Sequence, residues 1–408
     1  MNVYIELETL KRELSGKLLI SLELVKKNHN VFLGDRETIT YLAKNNKIPP
    51  GVIFLKDMNS QKYRVNDYKK FIKNGFKIVS QDEEIGCFTN KTYEKFFYGR
   101  FQNETTFKLV DKYFCWGDFD YKFLKKFKKK TKFIKTGSPR IDIAANEKLI
   151  NKDNIKKKYK LKKNIILISL NHNLFWKRDF FERLLISTHE INEKNFIKTI
   201  DESYHIESKV LIKFFYLFEL IYELNKLNDY SIVIRPHPGM ETEKVKKFFD
   251  NYKILKNVKV IADGDLVDQI STSDFIIHTG CTSGVEGTLN KKNVITYLPK
   301  DNLIRDYKEV KFLTEIGKIF YKKDAIIKYI KRNAQRKFIQ KNILNKNLNK
   351  IKKRVLIDKQ SYKRISEEIE NLSFKKTNKS YMNIGNNKLN FFKKNLKLII
   401  KKKIKKNS

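Results

Sequence analysis

Short apolar runs alternate with longer amphipathic stretches from the first residues of the chain. "NVYIEL" reads as a strand, "LSGKLLISLELVKKN" as a helix and "NVFLGD" as the next strand. "GVIFL", "KIVSQDEE", "KYFCWG" and "KFIKTGSP" continue the series, each divided from the next by helix-like sequence. Apolar runs of about four to eight residues between helical patterns predict βαβ units, because parallel strands need a crossover long enough to hold a helix. This first unit spans residues 1–145. A lysine-rich segment, "NEKLINKDNIKKKYKLKKN", precedes a fresh strand, "IILISL". The helix "VLIKFFYLFELIYELNKL" and the strands "YSIVIRPHPG", "VKVIA", "DFIIHTG" and "VITYLP" then make a second α/β unit, residues 146–333. From 334 to 408 the apolar periodicity weakens and Lys and Asn dominate, so a helical or disordered tail is expected.

A chain of 408 residues, 41% of them hydrophobic, is long enough for two domains with cores of their own. Its net charge of +41 suits polyanions or an anionic membrane, but Lys, Asn and Ile are over-used throughout, so the charge says little about mechanism. Cys87, Cys115 and Cys281 lack pair spacing and predict neither a disulfide framework nor a zinc site. "MNVYIELETLKREL" has no apolar core behind a basic start, and no spanning helix is expected. The expected location is the cytoplasm. The last twenty residues hold eight lysines and no carboxylate, with Leu389, Phe392, Leu396, Ile399 and Ile400 at helical spacing. Such a segment, 389–408, either lies on an anionic membrane surface or is a solvated tail.

Polar residues collect at the strand ends, where open α/β sheets bind ligands. In "SIVIRPHPGM", Arg235 offers a donor fork suited to phosphate. Pro236 and Pro238 restrict the loop that carries His237, which can donate to a phosphate or a ribose. In "DGDLVDQISTSDFIIHTGCTSGVEG", Asp265 is a candidate helix cap. His278, Thr279 and Gly280 form the next turn, and Thr282, Ser283 and Gly284 bring hydroxyls and free amides to a helix start, a site for an anion. Glu286 would repel phosphate and better accepts a ribose hydroxyl. Ser283 with Glu286 also fits an ordinary capping box.

On the N-terminal unit, "KIVSQDEEIG" places Glu83 and Glu84 after a strand, where either can act as the base for an acceptor hydroxyl. His172, in "ISLNHN", is a second candidate base. Glu6, Arg12, Gly16 and Lys17 mark the first strand-to-helix connection, with Ser15-Gly16 as the expected helix start. In "KTGSPRID", Arg140 is positioned to pair with Asp142, in a hinge or a ligand site. There is no P-loop and no G-x-G-x-x-G, and no Asp-x-Asp pair is placed for a metal, so neither a metal nor a cofactor is expected.

The ordered blocks "RPHPG" and "DFIIHTGCTSGVEGTLNKKNVITYLP", with "SQDEEIG" and "FIKTGSPRID" before them, resemble the surface-carbohydrate and capsule-polysaccharide biosynthesis proteins. These are GT-B glycosyltransferase-like enzymes akin to capsule Kdo transferases and CDP-glycerol glycerophosphotransferases. The resemblance covers roughly residues 1 to 300. It implies an α/β fold of two Rossmann-like doubly wound domains facing a central cleft. The C-terminal domain would hold a nucleotide-activated sugar or polyol phosphate through Arg235, His237, His278, Thr279, Ser283 and Glu286. The N-terminal domain would hold a glycan or lipid-linked acceptor, and transfer would be metal-independent. A nucleotide-sugar epimerase of the UDP-GlcNAc 2-epimerase kind is the alternative, sharing the fold and a similar serine-and-glutamate turn. A transferase relative serving only as a scaffold, or a basic nucleic-acid-binding protein, would be non-enzymatic. The latter is disfavoured by the lack of a compact motif with interleaved aromatics.

Overall fold

The computed structural model describes residues 1–59, 61–83, 104–127, 131–146, 154–171, 196–300, 311–333 and 341–372. Glu84, His172 and the basic segment 389–408 lie outside them. The first unit runs β1 (Asn2–Leu7), α1 (Leu10–Lys26), β2 (Asn30–Asp35), α2 (Arg36–Lys44), β3 (Val52–Leu55), α3 (Lys62–Lys73) and β4 (Lys77–Ser80). It closes with β5 (Lys112–Cys115), α4 (Asp118–Leu124), β6 (Lys132–Lys135) and α5 (Pro139–Ala145). Its parallel strands lie in the order β2-β1-β3-β4-β5-β6.

The second unit begins with α6 (Asn154–Lys158), β7 (Asn164–Ser169), α7 (Phe196–Asn225), β8 (Tyr230–Arg235), α8 (Thr242–Asp250) and β9 (Val258–Val260). It continues through α9 (Leu266–Thr272), β10 (Phe275–His278), α10 (Ser283–Leu289), β11 (Asn293–Tyr297), α11 (Lys311–Thr314), β12 (Lys318–Phe320) and α12 (Lys323–Asn333). The order β12-β11-β10-β7-β8-β9 places a topological switch point between β7 and β10. Crevices at such points are where doubly wound sheets bind ligands.

Central strands such as "VIFL" and "YSIVIR" are buried along their whole length, which explains their continuous apolar runs. The edge strands β2, β6, β9 and β12 are partly exposed. Three-residue β12, "KIF", is too short for its pattern to register in the sequence.

The last two described helices pack into the fold. α13 (Lys341–Lys352) packs against α10 of the second unit, and α14 (Ser361–Glu370) against α1 of the first. Ile365 and Ile369 join Ile20, Leu24 and Phe54 in one core, and Ile351 and Val355 join Trp116 and Phe123 in another. Leu356 N donates to the Trp116 carbonyl at 2.8 Å, and Lys112 Nζ to the Glu368 carbonyl at 2.6 Å. The apolar stripe of α14 is narrow, since serines 361 and 366 share its buried face, so the sequence pattern looks weak there. A single core cluster also joins Ile141 and Ala144 of the first unit to Val285, Leu289 and Phe312 of the second.

Integration of α14 has a measurable consequence. Ile365→Ala should lower unfolding stability by about 2–5 kcal/mol, whereas Lys363→Ala, on the exposed face, should stay within about 0.5 kcal/mol of the native protein. Urea unfolding checks both; equal midpoints would show that α14 adds nothing to the core.

Candidate functional site

The carboxyl ends of both sheets face one cavity. The first unit supplies Lys11, Arg12, Ser15 and Gly16 from the opening turns of α1, with Arg140 and Ile143 from α5. The second supplies Ser169 and Leu170 after β7, and Arg235 to Pro238 after β8. Asp265 to Val267 and then Cys281, Thr282, Ser283 and Glu286 complete the wall around the β7/β10 switch point. Gly16 lets α1 approach α5: a Cβ there would sit 3.2 Å from Pro139 Cβ. The helix begins at Leu10 rather than at Ser15-Gly16, and Glu13 accepts the amides of Glu8 at 2.9 Å and Thr9 at 3.2 Å. Ser15 therefore meets the cleft with its hydroxyl and not with a helix-end amide.

Polar bonds cross this cavity between the two units. Arg140 Nε donates to Glu286 Oε1 at 2.7 Å and its Nη2 to Thr282 Oγ1 at 2.8 Å. Arg140 Nη2 also contacts Glu286 Oε1. Ser15 Oγ donates to Asp265 Oδ2, and outside the cavity Asn290 Nδ2 also links the units by donating to the Ala144 carbonyl at 3.2 Å. Asp265 is at the cap position of α9 but its carboxylate makes no cap bond, having been drawn across the cleft. The expected Arg140–Asp142 pair does not form, because residues two apart on a helix point away from each other. Asp142 instead accepts from the Ser361 amide at 2.8 Å and from its hydroxyl, and burial pushes its carboxyl pKa up.

Arg235 is 4% exposed and donates from Nη1 to the Asp263 carbonyl and from Nη2 to the Gly264 carbonyl, both at 2.9 Å. Burial pulls its pKa down, against the opposing charges of Asp265 and Glu286. Two of its donors thus shape the turn that presents Asp265, while the residue still lines the cavity. His237 Nδ1 accepts from the Gly239 amide at 3.1 Å, which places the proton of the neutral ring on Nε2.

His278, Thr279 and Gly284, expected to contact a ligand, do not line the cavity. The His278 ring is wholly buried beneath its rear wall. Nδ1 accepts from the amides of Gly280 at 3.1 Å and Cys281 at 3.2 Å, while Nε2 lies 3.0 Å from both the Ile316 carbonyl and Thr296 Oγ1. Desolvation lowers its pKa to about 4. Gly284 lets α10 pack on this ring, since a Cβ would overlap the imidazole. The small residues of "HTGCTSGVEG" thus make room for a histidine. Nor does the capping box form: α10 starts at Ser283, Thr282 is its N-cap without a side-chain bond to the helix amides, and Ser283 Oγ lies 2.6 Å from Cys281 Sγ.

The remaining N-terminal candidates divide. Arg12 and Gly16 line the cavity, whereas Glu6 and Lys17 are buried away from it. Glu6 sits 3.4 Å from Arg64 and 3.5 Å from Arg36, and burial raises its pKa although both cations oppose the shift. Lys17 Nζ lies 3.6 Å from Glu83 Oε1 and 3.6 Å above the Phe54 ring centroid. Glu83 is thus held by a buried cation outside the cavity. Sequence reasoning did not assign Arg140, Ser15 and Asp265 to one site; no local signal reveals which segments will face each other across a cleft.

No protein-family model and no curated protein matches the sequence. Among solved structures the chain is similar to MnaA of S. aureus in its UDP co-structure, at 14% identity and TM-score 0.53, covering 90% of this chain and 96% of that one. It is also similar to the Methanocaldococcus jannaschii UDP-GlcNAc 2-epimerase in complex with UDP-GlcNAc and UDP, at 14% identity and TM-score 0.53, covering 91% and 99%. The wall teichoic acid polymerase TagF gives 11% identity and TM-score 0.54, covering 90% and 88%. These likenesses establish the fold: two Rossmann-like domains of GT-B type.

The buried His278 predicts a pH effect of definite sign. Its folded pKa of about 4 lies below the ordinary 6.5, so between those values the unfolded chain binds a proton that the folded chain does not. Stability should fall by up to about 3 kcal/mol as pH drops from 6.5 to 4. His278→Asn should lose stability at neutral pH but show a flatter slope across that window. Thermal unfolding of both proteins from pH 7 to pH 4 measures the difference, and parallel curves would refute the assignment.

Proposed function

We propose that the chain is a nucleotide-sugar enzyme of surface-polysaccharide synthesis. It would move a sugar or polyol phosphate from a nucleotide donor to a glycan or lipid-linked acceptor. The observation that carries this reading is the composition of the cavity at the β7/β10 switch point. Lys11, Arg12, Arg140 and Arg235 bring cations around the hydroxyls of Thr282 and Ser283 and the carboxylate of Glu286. Cations and hydroxyls suit a diphosphate, a carboxylate suits ribose hydroxyls, and His237 borders the same site.

In the transfer, an acceptor oxygen bonds to the migrating group as its bond to the nucleotide's phosphate breaks. The nucleotide leaves with the electron pair and the acceptor proton passes to a base. The cations and hydroxyls of the cavity stabilise the leaving group without a metal. The donor half is what the geometry supports in detail. Glu83, paired with Lys17, stands outside the cavity, and the other candidate bases, Glu84 and His172, lie beyond the described residues. A cytoplasmic location, with residues 389–408 against an anionic membrane, belongs to the same proposal.

One observation favours epimerisation as a second reading. The Arg140–Glu286 and Ser15–Asp265 bonds tie the two domains together at the pocket, which suits a reaction confined to one bound ligand. The two separate in one experiment: purified protein with CMP-, CDP-, UDP- and GDP-sugars, with and without an acceptor glycan, followed by mass spectrometry. Transfer predicts nucleotide release and a heavier acceptor, only when acceptor is present. Isomerised nucleotide-sugar formed without acceptor would replace transfer by epimerisation, and no conversion with no nucleotide binding would sink both.

A further inference from the structure

The geometry points to Arg140 as a positioning residue that the N-terminal domain lends to the nucleotide site of the C-terminal domain, where it holds Glu286 in place and aimed at a ligand hydroxyl. This assignment rests on the donor site proposed above. Glu286 is 4% exposed, and a carboxylate so buried needs a partner for its charge. The neighbouring cation of its own domain is directed elsewhere: Arg235 donates to the carbonyls of Asp263 and Gly264. Arg140 meets the need from across the cleft. Its contacts to Glu286, through Nε and Nη2, are both on Oε1, which leaves Oε2 as the oxygen for a ligand.

The same guanidinium donates to Thr282 Oγ1, one helical turn before Glu286. A planar fork that bridges two acceptors fixes the carboxylate in rotation as well as in position; a lysine ammonium is a point charge without that fork. Both ends of the bridge are themselves anchored. Arg140 projects from α5, whose Asp142 is bonded to Ser361 of α14, and the turn carrying Thr282 stands on His278. The hydroxyl-reading group is therefore complete only while the domains are together. Hydroxyl recognition and closure become one event, and opening the cleft would release the ligand.

The test compares the binding of UDP, CDP and GDP with that of their 2′,3′-dideoxy forms by calorimetry. The proteins are the native chain, Glu286→Gln, Arg140→Ala and Arg140→Lys, each checked for folding by circular dichroism and thermal unfolding. The native protein should prefer the ribonucleotide by about tenfold. That preference, read as the ratio of the two affinities within each protein, should vanish in Glu286→Gln and in Arg140→Ala and shrink in Arg140→Lys, whatever the loss of diphosphate affinity common to both nucleotide forms. Arg140→Lys keeps the charge, so it decides the matter if Arg140→Ala does not fold. A ribose preference that persists undiminished in the folded Arg140 variants overturns the assignment and leaves the donor site standing. A native protein that binds none of these nucleotides overturns the donor site, and the role of Arg140 with it.

Discussion

A histidine buried without a charge partner sets the shape of the C-terminal half of this site. At the end of β10 the chain must leave the sheet, turn and begin α10 within a few residues, and its amides need acceptors away from water. The His278 ring supplies one for Gly280 and Cys281, and its far nitrogen reaches the Ile316 carbonyl ahead of β12. One side chain thus ties the turn to a separate part of the same domain. The neutral ring can serve both ends because it carries one acceptor and one donor. Everything the cavity draws from this turn, namely Cys281, Thr282, Ser283 and Glu286, stands on that connection.

The opposite wall is held by a different means. α1 and α5 pack closely at Gly16, and α14 lies against α1 while capturing Asp142 of α5. A segment close to the end of the described chain therefore braces helices that line the cavity from the first domain. This explains why a lysine-rich sequence past residue 333 contains buried isoleucines. It also separates two parts of the tail: 341–372 belongs to the fold, and any membrane role falls to the residues after it.

Most of the architecture was legible in the chain because parallel strands are buried on both faces and read as short apolar runs. The loops at the strand ends followed from topology, and Arg235, His237, Ser283 and Glu286 all line the cavity there. The direction of individual side chains was not legible, for the same reason that the strands were. In a strand buried on both faces, alternation carries no information about which side looks toward a ligand. His278 pairs in register with Thr296 of β11, and the two side chains meet inside the domain, a relation that spacing along the sequence does not encode. Glu6 and Lys17 turned inward likewise, each toward a charge supplied by a distant segment.

The motif "SPRID" shows what a one-dimensional reading loses and how the fold uses it. Arg140 and Asp142 are two residues apart on a short helix, so their side chains diverge by more than a right angle. What looked like a local ion pair is two contacts in different directions, one toward α10 of the other domain and one toward α14 behind it. Opposite charges on opposite faces make α5 a rivet between the cavity and the last described helix. Loss of either contact would leave the helix held from one side only, and the cavity wall would then be free to swing with the domain that kept it.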